Sequence, residues 1–180
     1  MKVESSALLE DLRNITLNIL KQAKELKQLE MQNLNHKSNE ESWSALECLE
    51  HLNRYGRFYI PEMEQRIKAF KGKVNPFFVS GRLGNYFAKS MEPRSNMKKI
   101  NTFKSMNPIG SKLDKEVIEE FIRHQEQILE ILENAKNVDL SKTKTSVSIS
   151  RWIKLKLGDT LRIVIYHNQR HMLQVFRALP

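Results

Sequence analysis

The segment from Gly158 to about Ala178 limits the possible folds of this chain more than any other. Leu161, Ile163, Val164, Ile165, Tyr166, Met172, Leu173, Val175 and Phe176 set apolar side chains on most sides of the helix that this pattern predicts. A helix that is apolar nearly all round must be buried among other elements. Three further stretches can supply that company. From about Ser5 to Met31, Leu8, Leu12, Ile15, Ile19, Ala23 and Leu26 recur every three or four residues, with Glu10, Arg13, Lys21, Lys24 and Lys27 between them. That spacing makes one apolar stripe on a helix. Asn33 to Asn39 is polar and breaks the pattern.

The second helix announces its start. Ser44-Ala45-Leu46-Glu47 has the form of a capping box, and the helix continues to about Phe70 with Pro61 expected to bend it. Lys71-Gly72 and Asn75-Pro76 stop it. About 40 residues follow up to Asn107-Pro108-Ile109-Gly110; Phe77, Phe78, Tyr86, Phe87 and Phe103 give this stretch apolar anchors, and Ser80 to Ser90 has the pattern of a short helix. A connection with its own aromatics reads as an ordered crossover. The third helix runs from Ser111 or Lys112 to Ala135, and Asn137 to Ser150 is a Ser/Thr/Lys-rich connection with Val147 to Ser150 briefly extended. The expectation is one all-α domain over residues 1–180, a four-helix bundle with a long ordered connection between the second and third helices.

The net charge of +9 is local: between Arg66 and Lys104 there are ten basic residues and one acid, Glu92, while the rest of the chain carries 20 of each sign. With the remainder balanced and no recognisable nucleic-acid module, nucleic acid is not the expected partner. No apolar run reaches the ~18 residues that span a membrane. The start, Met1-Lys2-Val3-Glu4-Ser5, has no secretory pattern, and the single cysteine, Cys48, suits a reducing cytoplasm.

His167 and His171 stand one helical turn apart on one face, so both imidazoles can reach one metal ion. His51 faces inward on the second helix with Cys48, Tyr55 and Phe58, and is the first candidate for a third ligand; His124, close to the apolar face of the third helix, is its rival. His36 belongs to a polar loop and reads as solvated. Three neutral imidazoles with an open position suit zinc or nickel and leave the ion its full charge for activating water or a thiol. Glu47, one turn before His51, is a weak candidate for a base acting through water, beside its plainer role in the capping box. Asn168, beside the His pair, is a candidate to orient a substrate next to its plainer reading as an exposed helix residue, and Cys48, three before His51, is a candidate ligand next to its plainer reading as a small buried hydrophobe.

Two segments carry a resemblance. Trp43-Ser44-Ala45-Leu46-Glu47-Cys48-Leu49-Glu50-His51-Leu52 resembles the region of the first metal histidine in the DinB-like superfamily. Leu157-Gly158-Asp159, leading to His167-Asn168-Gln169-Arg170-His171-Met172-Leu173-Gln174, resembles that superfamily's last helix. The resemblance implies a four-helix bundle of non-simple topology, a divalent metal on His51, His167 and His171, and a homodimer. It also implies a metal-dependent hydrolase, or a transferase that uses a low-molecular-weight thiol, acting on a small-molecule substrate. The alternative of another class is a stress-associated binding or scaffolding protein of the same fold that catalyses nothing.

Overall fold

The apolar faces of the first and third long helices come together, and the last long helix packs on the first and the second. The computed structural model describes residues 1–93 and 102–180. Helix α1 (Ser5–Leu26) buries Leu8, Leu12, Ile19, Ala23 and Leu26, the stripe its spacing predicts. It stops before Met31, and the chain turns into a short α2 (Met31–Leu34), which seats Leu34 in the core. Helix α3 (Ala45–Lys68) opens on the expected capping box and runs through Pro61 without a break. A short α4 (Arg82–Met91) precedes α5 (Glu116–Asn134) and α6 (Leu157–Ala178). Helix α5 begins later than Ser111 or Lys112 because the Asp114 carboxylate accepts the Glu116 N–H at 2.9 Å, outside the helical ladder.

Helices α1 and α3 each pack against both α5 and α6, and α4 lies on α6. Along α6, Leu161, Val164, Ile165, Met172 and Val175 are buried, but Leu173 and Phe176 are 40% and 39% exposed, so its outer apolar side is not covered.

Mostly helical, the molecule departs from an all-α reading in two small antiparallel sheets. Strand β1 (Lys2–Glu4) pairs with β2 (Phe77–Val79), and β3 (Lys144–Val147) forms a hairpin with β4 (Ser150–Lys156). The stretch read as a loop with a brief extension is thus half of a hairpin. Burial explains both pairings. Phe78 on β2 is fully buried, and its ring lies so close to Gly158 that a Cβ there would be 2.6 Å from it. Leu155 on β4 is buried and Ile153 lines the same interior side, whereas Trp152, the residue before Ile153, points outward and is 95% exposed.

The part of the long connection that holds Arg94, Lys98 and Lys99 lies outside the described residues. Its far end is tied to α3. Arg54 donates to the Asn107 carbonyl at 2.9 Å, Trp43 Nε1 donates to Asn107 Oδ1 at 3.1 Å, and the Gly110 N–H donates to Glu47 at 2.8 Å.

Candidate metal centre

Helix spacing and helix packing together bring three imidazoles to one point. His167 and His171 leave α6 one turn apart with ring centroids separated by 4.6 Å. Helix α3 packs on α6 and presents His51 between them, at 5.1 Å from the His167 ring and 4.6 Å from the His171 ring. One nitrogen from each ring lies within 4.8 Å of the others. Among the described residues this is the group of His, Cys, Asp and Glu side chains with the closeness a metal ion needs.

The hydrogen bonds decide which nitrogens face inward. His51 Nδ1 lies 2.7 Å from the Met106 carbonyl, which can only accept, so Nδ1 carries the proton and Nε2 presents its lone pair. His171 Nδ1 is 2.9 Å from Gln174 Oε1, which assigns its proton in the same way. His51 Nε2 and His167 Nε2 are 3.3 Å apart. Two nitrogens bound at 2.0–2.1 Å to a shared tetrahedral ion stand about 3.3 Å apart, so the spacing fits zinc or an ion of similar size. Each oriented imidazole with an acceptor behind it is the arrangement usual for metal-bound histidine.

Burial favours the neutral rings that ligation requires. It pulls His51 down to about 4, with the Met106 bond acting against it and Arg54 adding a smaller push in the same direction. Burial also brings His171 down to about 3, helped by His51, and holds His167 well below the ordinary histidine value, helped by His171 and His51. Trp43 covers one side, its ring 4.7 Å from His51 and 5.9 Å from His171. Tyr55 closes another, edge-on at 5.1 Å to His51 and 4.9 Å to His167.

The other candidates lie elsewhere. His124 is outside the trio, with Nδ1 at 3.2 Å from Asn53 Oδ1 and Nε2 at 3.7 Å from Glu120. His36 is exposed in its loop. Cys48 is buried, and burial followed by the neighbouring Glu47 charge pushes its thiol up to about 12. Glu47 is engaged by the Ser44 N–H at 2.9 Å, Lys37 at 2.8 Å and the Gly110 N–H at 2.8 Å. Its carboxylate therefore serves the cap and the docking of the connection.

Asn168 corrects the sequence reading. It is 5% exposed, and its Nδ2 donates to Gln125 Oε1 at 3.3 Å. Gln125 itself is 1% exposed on α5 and drew no attention in the sequence. The signal was there: position 125 falls four after Phe121 and three before Ile128, on the apolar stripe, so a polar residue there had to be buried. Both residues line a cavity of about 160 Å³ between α3, α5, α6 and the β3–β4 hairpin, and His167 lines it too.

A family model described as the DinB superfamily matches residues 9–175, a span that holds all three histidines, and the chain belongs to that superfamily. No curated protein and no solved structure matches it. No helix among the described residues is long and apolar enough to cross a membrane.

Proposed function

We propose that this DinB-superfamily chain holds one divalent ion, zinc or nickel, through Nε2 of His51, His167 and His171, and uses it as a hydrolase or a thiol-dependent transferase. The carrying observation is the convergence of three imidazoles, two with their protons committed to outer acceptors, at the spacing of ligands to one ion. When bound, such an ion supplies Lewis acidity that makes a water or a thiol nucleophilic near neutral pH. The residues around it have separate work. Met106 and Gln174 hold the rings in their tautomers, Trp43 and Tyr55 keep bulk water from two sides, and His167 joins the ion to the adjoining cavity. Glu47 acts as cap and clamp, leaving the proton-transfer group to come from substrate or solvent.

A cavity that shares a wall with the histidines favours an enzyme acting on a small molecule over a scaffold of the same fold. The four long helices are read as the bundle of the superfamily, and the homodimer and cytoplasmic location that go with this reading are part of the proposal; the buried lone cysteine is compatible with the latter.

Elemental analysis of protein purified without added metal tests the centre. The wild type is expected to carry about one ion per chain, and His167→Ala to lose most of it, since two remaining ligands are too few for a stable site. Equal, sub-stoichiometric metal in both would remove the basis of the proposal.

A further inference from the structure

The geometry points to a substrate class for this centre: a small carbonyl compound with a benzene-sized apolar body, seated in the cavity beside His167 and selected by the side-chain N–H of Gln125. The inference rests on the proposed metal centre for its chemistry, though not for binding. Phe121, Ile128, Val147, Leu155 and Val164 make the cavity apolar. Its volume of about 160 Å³ is close to that of engineered apolar cavities of roughly 150 Å³ that take up benzene. An aromatic ring or a branched alkyl group of that size therefore fits.

The polar side of the cavity says what the apolar body must carry. His124 is engaged with Asn53 and Glu120. Gln125 Oε1 accepts from Asn168. Gln125 Nε2 is fully buried and has no hydrogen-bond partner among the described residues. A buried amide donor left unpaired is unfavourable, and an acceptor that reaches it regains the lost bond. A carbonyl oxygen is such an acceptor, has no hydrogen of its own to leave unpaired, and is the group that a neighbouring Lewis acid would polarise.

Binding of acetophenone and of α-methylstyrene, in which a CH2 replaces the carbonyl oxygen at almost unchanged shape, separates the two parts of the claim. Calorimetry and ligand-observed NMR on the full chain, metal-loaded and chelator-stripped, give both affinities. The ratio of affinities, acetophenone over α-methylstyrene, is expected to fall by about tenfold or more in Gln125→Leu, because only the carbonyl compound loses a bond. Gln125→Met, which keeps the length of the side chain and removes the N–H, should lower the same ratio. A readout without any variant is the Gln125 side-chain amide resonance of 15N-labelled wild type, expected to move downfield with acetophenone and not with α-methylstyrene.

Filling the cavity by Val164→Trp should abolish binding of both. A ratio unchanged in the Gln125 variants, an unmoved amide resonance, or no binding of either compound would overturn the assignment. Acetophenone binding that survives in a protein found to hold no metal would uphold the cavity and remove the metal reading. A loaded metal centre with no acetophenone binding would do the reverse.

Discussion

A single backbone carbonyl, that of Met106, determines which nitrogen His51 offers to the centre, and mutation of Met106 leaves it in place. His171 depends instead on a side chain, and Gln174 is therefore the more informative target. Gln174→Leu keeps the volume and removes the acceptor, so the ring loses the bond that fixes its tautomer and enhances its basicity. Metal affinity is expected to fall by about tenfold to hundredfold with little change in the fold, the range found when such outer partners of metal histidines are removed. Competition with a chromophoric chelator measures it, and an unchanged affinity would show that Gln174 does not orient the ring. Cys48 gives a second test at this scale. Its thiol, pushed up to about 12 by burial and by Glu47, stays protonated and inaccessible near neutral pH. Thiol reagents should modify it only in denaturant; rapid labelling of the folded protein would mean that α3 opens around it.

Helix α4 is held on α6 by a small buried network whose centre is Asp159. That carboxylate accepts from Ser80 Oγ, from the Gly81 N–H at 2.8 Å and from Arg162 at 3.4 Å, and Arg162 reaches on to Asn85 Oδ1 at 3.2 Å. Gly84 permits the close approach, since a Cβ there would overlap the Asp159 side chain, which is fully buried and tied on several sides. Gly84→Ala is expected to destabilise by about 1–3 kcal/mol through this overlap, read from the denaturant midpoint, and a neutral effect would mean that α4 can shift on α6 at little cost. Phe87 and Met91 on α4 line the cavity, so the same variant should also weaken acetophenone binding. The long helices were legible in the sequence because each repeats its apolar spacing over several turns. The strands were not. Lys2–Glu4 and Phe77–Val79 are three residues each, too short to show a period, and are set by the burial of Phe78 against Gly158 from far along the chain. The β3–β4 hairpin is rich in Ser, Thr and Lys, and the alternation of Ile153, Leu155 and Leu157 merges into the start of α6, which hides it from a helix-length window.

At the scale of the whole molecule, the histidine trio was legible because two members share a helix face and the third sits on an inward face, while the cavity was not, because four helices and a hairpin line it and Gln125 draws meaning only from Asn168 across the helix packing. The same enclosure couples the site to global stability. In the unfolded chain a histidine takes up a proton below about pH 6.5. In the folded chain His51 does so only near 4 and His171 near 3, with His167 also well below the ordinary value. Above about pH 6.5 both states are neutral at these positions and stability does not depend on them. As the pH falls through that value the unfolded state binds protons that the native state refuses, so stability falls with pH until the native pKa values are reached. At about pH 5 His51 and His171 each contribute a loss of about 2 kcal/mol relative to neutral pH, and His167 acts in the same direction, so the total is a large part of the stability of an ordinary domain. Metal-free protein should therefore show a melting temperature that drops steeply between about pH 7 and 5, and a His51→Leu variant a shallower drop. Excess zinc should raise the melting temperature at neutral pH, by about 4 kcal/mol of stability at a thousandfold excess over Kd. Because the native rings are already unprotonated well below neutral pH, native zinc affinity should hold nearly constant over the same interval, so the gain from metal persists while the metal-free curve falls. A metal-free stability that is flat across this interval would mean that the three rings are not held neutral by burial, and with it the preformed character of the centre would be lost.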